Sequence, residues 1–256
     1  MKNSLLERIA SLPGHNGMYF KNLVTGETIE YHSTDSFGPA SVIKLPVFMH
    51  IARLMSRGDI GPNETIRCRH EDKMGGCGAL RAFTDEPDVS IATLCELMIT
   101  ISDNSATNLL INRIGIEELA RVFQDMGLSV TKLHRVMFDS EAAARGIENE
   151  AAPREMGMLL EQVYRREFED EETSAYIEEV LLKQQINHKI PGIIGASVSV
   201  AHKTGEDDGI SNDVSIVYAP EPFVLCFMSN ETFVPDFEAF MRQASYDLFV
   251  ACGGSL

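Results

Sequence analysis

Apolar residues recur at two different spacings along the chain, and the change of spacing divides it into three stretches. Leu5 to Leu12 carries its apolar side chains at helical spacing. Met18 to Leu23 and Thr28 to His32 alternate instead, on either side of the turn Thr25-Gly26, and predict a β-hairpin. From Val42 to Met55 the pattern is helical and stops at Gly58. Pro46 lies in the early turns of that helix, where a missing N–H costs least. Ile91–Ile101, Ala106–Ile114, Ile116–Met126 and Pro153–Tyr164 predict further helices, the last with Met156, Leu159, Leu160 and Val163 on one face. After them, the acidic run Arg166 to Glu172 reads as a solvated helix end or loop. Strand patterns return at Val198–His202, Val214–Tyr218 and Phe223–Met228, and Asp236–Val250 predicts a closing helix.

Strands thus lie at both ends and helices fill the middle. The simplest packing is an α/β (α+β) fold: one sheet built from the two chain ends, covered by helices, with an all-helical middle. Residues 1–256 then form a single domain, with an α/β part over about 1–40 and 190–256 and a helical part over about 41–189. This arrangement brings Val42 and Val198 near one another.

Composition narrows the partners. The net charge of −16 speaks against nucleic acid, whose phosphates are held by Lys and Arg. It leaves room for a small anionic substrate, which feels the field of its own pocket. No apolar run reaches the roughly 18 residues of a membrane span. Met1 to Leu12 is broken by Glu7 and Arg8 and lacks the apolar centre of a secretory signal. The expectation is a cytoplasmic protein, or a secreted or periplasmic one if a leader has been removed. The five cysteines, an odd number without a CxxC pair, predict free thiols and no metal site. Cys95 and Cys226 sit in apolar runs and read as core residues.

Three short motifs carry chemistry: Ser41-Val-Ile-Lys44, Ser102-Asp103-Asn104 and Lys203-Thr204-Gly205. At roughly 1 in 20 per residue type, an SxxK match arises about 0.6 times by chance in such a chain, and Ser129-Val-Thr-Lys132 is a second one. A given tripeptide arises only about 0.03 times, so the trio comes near 1 in 2000. Taken singly, Ser41 could cap a helix, Ser102 to Asn104 could be a turn, and Lys203 to Gly205 could end an edge strand. Together they suit nucleophilic catalysis. A serine hydroxyl needs an adjacent base, and Lys44, three residues on, shares its helix face. Burial near a second cation, Lys203, would let Lys44 act as that base. Ser102, just after a buried helix, can pass a proton to a leaving nitrogen. Asn104 can hold a substrate amide together with Lys44. Thr204, beside Lys203, suits a substrate carboxylate, and Gly205 and Glu206 follow on the substrate-binding side. The backbone N–H groups of Ser41 and Glu206 can form the oxyanion hole.

The three motifs in this order resemble the class A β-lactamases and penicillin-binding proteins. The similarity extends to Thr25-Gly26-Glu27, to Ala40 through Pro46, to Met98 through Leu110, to Ala201 through Gly205 and to Asn212-Asp213. The resemblance implies a five-stranded antiparallel sheet flanked by helices, an all-helical subdomain and a site between them. It also implies Ser41 as nucleophile, Lys44 as base or relay, Ser102 as proton shuttle, and Lys203 with Thr204 for the substrate carboxylate. No cofactor is implied. Cys77, in Gly75-Gly76-Cys77-Gly78, would lie on the rim of the cleft.

The chain departs from the family at one place. The loop from Arg135 to Pro153 should hold the glutamate that activates the deacylating water. Aligned without gaps from Thr131, that position falls on Met137, and the asparagine that normally follows falls on Glu141. Asp139 and Glu141 are the nearby carboxylates that could replace it. Three activities fit: hydrolysis of β-lactams, acyl transfer as a D-Ala-D-Ala peptidase or small esterase, and a penicillin sensor that is acylated and stops. The partner is therefore a small β-lactam or acyl-peptide.

Overall fold

The two alternating regions of the chain do meet in one sheet. In the computed structural model, which describes residues 2–195 and 197–256, the chain runs α1 (Lys2–Ala10), β1 (His15–Asn22), β2 (Thr28–Tyr31), a 3-10 turn over Ala40–Ile43, and α2 (Lys44–Arg57). A short pair follows, β3 (Thr65–Arg67) and β4 (Asp88–Ser90). Next come α3 (Ile91–Thr100), α4 (Asn104–Ile114), α5 (Ile116–Asp125), α6 (Ser140–Ala144), α7 (Pro153–Tyr164), α8 (Glu171–Leu182) and α9 (Pro191–Ile194). The chain closes with β5 (Val200–Asp207), β6 (Ile210–Val217), β7 (Phe223–Asn230) and α10 (Val234–Ala251). The five-stranded antiparallel sheet has the order β2-β1-β7-β6-β5.

β7 lies at the centre, and its side chains show why its sequence is almost unbroken apolar. Val224, Cys226 and Met228 face a core shared with α2, α3, α4, α7 and α8. Phe223, Leu225 and Phe227 face the opposite core, made with Leu5 and Ile9 of α1 and Phe237, Phe240, Met241 and Leu248 of α10. A strand covered on both faces has no polar side to show. α2 is a similar case: every residue from Lys44 to Ala52 is buried, as in a central helix. Gly58 ends it in the left-handed conformation. No helix among the described residues is long and apolar enough to cross a membrane.

The structure differs from the sequence expectation at several elements. The acidic run is a loop over 166–170, as one of the two expectations had it, and its last two residues start a helix. Asp170 caps α8 by accepting from the Thr173 N–H, and Glu171 and Glu172 occupy the first turn, where the helix dipole favours anions. α4 begins at Asn104 rather than Ala106, because Asp103 caps it through the Ala106 N–H. β5 does not stop at His202. It continues through Lys203, Thr204 and Gly205, so the motif lies within the strand. The short β3, β4, α6 and α9 give too few residues for a periodicity to register.

β5 is an edge strand, and its free side passes close to the Ala40–Ile43 turn. Gly205 permits that approach. A Cβ there would lie 2.8 Å from the Pro39 carbonyl oxygen, 3.0 Å from the Ser41 nitrogen and 3.1 Å from the Val42 nitrogen. All three are backbone atoms and cannot swing aside. Gly205→Ala should therefore destabilise the fold by about 1–3 kcal/mol, the usual cost of overpacking. Urea unfolding measures it, and a wild-type midpoint would show that the turn yields freely.

Candidate active site

The segment that carries Ser41 is strapped down at several points. Phe37 and Ala151 exchange both backbone hydrogen bonds, at 2.9 and 3.0 Å. The Gly38 N–H donates to the Asn230 side chain at 2.9 Å. The Asn212 amide, on β6, donates to the carbonyls of Gly38 (2.9 Å) and Pro39 (3.0 Å). Ala40 then takes a positive φ of 44°, uncommon for a residue with a Cβ. Ser41 follows in the first turn of the helix, half-buried, on the wall of a cleft of about 820 Å³.

Behind it two lysines meet one hydroxyl. The Lys44 ammonium donates to Ser102 Oγ (3.1 Å), to the Ser102 carbonyl (2.9 Å) and to Asn104 Oδ1 (2.8 Å). From the sheet, the Lys203 ammonium donates to the same Ser102 Oγ at 3.1 Å and to the Thr204 carbonyl at 2.7 Å. Lys44, Ser102, Asn104, Lys203 and Thr204 are all buried. Ser102 is presented between α3 and α4 with a φ of 58°. Asp103 fixes that presentation: besides capping α4 it accepts the N–H groups of Ala79 (2.7 Å) and Leu80 (2.9 Å). Burial lowers the Lys44 pKa to about 7, only partly offset by the field of Cys77 and Asp103. Burial also pushes Lys203 well below the usual lysine range, and the neighbouring charges of Lys44 and Lys189 push it the same way.

Lys189 is the residue the sequence reading missed. It is fully buried, and its ammonium reaches the carbonyls of Gly205 (3.0 Å) and Asn212 (3.2 Å) and the Glu206 carboxylate (3.1 Å). A lone lysine in a loop of mixed residues carries no local signal. Only its place beneath β5 distinguishes it.

The other sequence candidates fall as follows. Gly205 and Glu206 lie on β5, with Glu206 on the cleft wall. Cys77 lines the cleft and is exposed, while its carbonyl accepts the Asn104 N–H at 3.2 Å. All five cysteines are free, and Cys95 and Cys226 are in the core. Met137 lines the cleft, with its N–H and carbonyl clamped by the Asn108 side chain at 2.8 and 2.9 Å. Asp139 also lines the cleft, but one carboxylate oxygen caps α6 through the Ala142 N–H at 2.8 Å. Glu141 is exposed on α6 and is not among the residues lining the cleft. The second SxxK match belongs elsewhere, since the Ser129 hydroxyl donates to Glu155 at 2.9 Å and Lys132 is exposed.

A hydroxyl shared by two buried lysines, one from the helix that Ser41 leads into and one from the neighbouring sheet edge, is an arrangement that can relay protons. On this five-stranded frame it defines the β-lactamase/transpeptidase-like serine hydrolases. The sequence model of the β-lactamase enzyme family matches residues 1–250, and the chain belongs to that family. β-Lactamase ROB-1 of Haemophilus influenzae is 27% identical over 226 residues, 84% of this chain and 72% of that protein. Among solved structures, the β-lactamase of Sphaerobacter thermophilus DSM 20745 superposes with a TM-score of 0.91 at 24% identity, covering 98% of this chain and 97% of that one. PBP-A superposes at 0.89 and 25% identity, covering 98% and 94%. A mutant of PBP-A is described as an acyl-enzyme complex with penicillin G.

One buried carboxylate serves the scaffold. Glu155 accepts the N–H groups of Ser129 (2.7 Å), Val130 (2.9 Å) and Thr131 (2.7 Å). Burial raises its pKa, but these hydrogen bonds outweigh burial and hold it below the ordinary carboxylate value. Its contribution to stability is therefore complete above the unfolded-state pKa and is lost as the pH falls through the lower folded value. Glu155→Gln should cost about 1–3 kcal/mol at neutral pH and flatten the acid limb of the stability profile. Denaturant melts across pH measure both, and an unchanged acid limb would contradict the assignment.

Proposed function

We propose that this chain is a serine β-lactam hydrolase that works through an acyl-enzyme at Ser41. The observation that carries the reading is the Ser102 hydroxyl held between the ammonium groups of Lys44 and Lys203. With a pKa of about 7, the neutral fraction of Lys44 grows as the pH rises through neutrality. Neutral Lys44 takes the Ser41 proton, and Ser41 Oγ attacks the lactam carbonyl carbon. The oxyanion forms beside the N–H groups of Ser41 and Glu206. As the C–N bond breaks, the Ser102 hydroxyl gives its proton to the departing nitrogen and regains one from a lysine. Asn104, already bonded to Lys44, holds the substrate amide. Lys203, Thr204 and Gly205 receive the substrate carboxylate, with Lys189 adding positive potential behind β5.

Intact mass after mixing with benzylpenicillin tests the first half of the reaction. A single penicilloyl adduct should form on the wild type and none on Ser41→Ala. Peptide mapping that puts the label on Ser129 or Ser102 would overturn the assignment.

Met137 favours a slow second half. A thioether cannot accept a proton from water at neutral pH, and the Asn108 clamp fixes the backbone of Met137, the residue that the ungapped alignment sets against the glutamate. The Asp139 carboxylate is engaged as a helix cap, and Glu141 is away from the cleft lining. Acylation should then outrun deacylation, and stopped-flow turnover should show a burst followed by a slow phase. Met137→Glu should accelerate the slow phase by up to about 10²–10⁴-fold, the contribution of a positioned base. Desolvation of the new carboxylate beside Val136 and Phe138 works against that gain. A wild type without a burst, with one created by Asp139→Asn or Glu141→Gln, would make the mutated carboxylate the base.

A further inference from the structure

We propose that His15, His32 and Asp35 form a binding site for a zinc-class divalent ion, at the point where the first hairpin meets the strap leading to Ser41. Read for cysteine pairs, the sequence offers no metal site; the fold assembles one from other donors. His15 opens β1, His32 follows β2, and the antiparallel pairing of these strands brings the two rings side by side. Asp35 turns back toward them three residues later. His15 Nε2 lies 3.2 Å from Asp35 Oδ2, and His32 Nδ1 lies 2.8 Å from the same oxygen. The three donor atoms all fall within 4.8 Å of one another.

One edge of this group already has the spacing of zinc ligands, and another, a His32–Asp35 hydrogen bond of 2.8 Å, would open by about half an ångström on binding. Two ligands at about 2.0–2.1 Å from zinc, separated by the tetrahedral angle, stand about 3.3 Å apart. The His15–Asp35 edge already has that length. The rings are also oriented in advance. His15 stacks on buried Phe37, with centroids 4.6 Å apart and planes at 9°. His32 packs edge-on between Tyr31, at 4.3 Å, and His15, at 4.9 Å. Its backbone has a φ of 45°, a conformation that favours glycine and asparagine and here directs the ring toward Asp35. The three side chains are 40–42% exposed, so an ion and its remaining waters can enter without unfolding.

Donor chemistry selects the ion. Two imidazoles and one carboxylate suit zinc and its neighbours, whereas calcium and magnesium ask for oxygen. A second His/Glu group, His188, Glu206 and Glu238, is less fit for a cation, because the Lys189 ammonium is already 3.1 Å from Glu206. An ion at the first site would fasten the start of β1, the end of β2 and the loop six residues before Ser41. Its role there is to brace the fold, without contact to the reacting atoms.

Titration calorimetry of the metal-free full chain with zinc chloride tests the proposal, with melting temperature as a second readout. One equivalent should bind per chain and raise the melting temperature, and calcium chloride should do neither. His32→Asn, which keeps the left-handed backbone accessible, and Asp35→Asn should each weaken zinc binding by at least about tenfold, since loss of even a supporting group costs that much. His15→Gln, at a strand end, should do the same, and His188→Asn should leave binding unchanged. Absence of zinc binding, equal affinity in the folded His32→Asn, Asp35→Asn and His15→Gln variants, or loss of binding in His188→Asn would each overturn it.

Discussion

Two ammonium groups held 3.1 Å from one hydroxyl, away from water, are the arrangement on which the rest of this molecule depends. Burying like charges together is costly, and the surroundings offset it with carbonyl dipoles rather than a full set of counter-ions. Lys44 rests on the Ser102 carbonyl and the Asn104 side-chain oxygen. Lys203 rests on the Thr204 carbonyl. Lys189, the third buried cation, takes two backbone carbonyls and one carboxylate. At Lys44 and Lys203 these dipoles do not make up for burial, so both pKa values fall, that of Lys44 to about 7, where its proton is exchangeable near neutral pH. An acidic chain with a net charge of −16 has thus concentrated positive potential at one place inside itself.

That place exists only because distant parts of the chain are forced together. Lys44 belongs to the first helix after the hairpin, Ser102 to the junction of α3 and α4, and Lys203 to the first strand of the closing sheet. The segment leading to Ser41 is tied at Gly38 by Asn212 and Asn230, 174 and 192 residues away in sequence. Gly205 lets the strand and the helix start approach to backbone contact. The site is therefore a product of the completed fold, formed by contacts of high sequence separation, which as a rule close late.

How much of this was legible in the sequence varied with the physics of each part. The sheet was legible because its strands come from both ends with an alternating or continuous apolar pattern, and β1, β2, β6 and β7 appeared within a few residues. The motif residues were legible because two rare tripeptides followed a common SxxK spacing in order, and the structure brings Lys44, Ser102, Asn104 and Lys203 into direct contact. β5 was cut short because Lys203 and Thr204 look polar, yet both are buried within the strand. α8 was hidden because its acidic first turn reads as solvent, although that charge is what stabilises the helix start. Lys189 was invisible because its meaning is purely tertiary. The second SxxK match was legible as a loop-to-strand junction after the SDN motif, and the fold adds that Glu155 holds the Ser129 hydroxyl.

The two-sided strand β7 has a further consequence. Its odd residues belong to the core of α1 and α10, its even ones to the core that supports the cleft, and Ser229 and Asn230 at its end hold the Asn212 and Gly38 straps. The far layer and the cleft therefore share one mechanical element. A disturbance of the packing of α1 and α10 on β7 is therefore transmitted through the strand's end to the straps that hold the Ser41 segment.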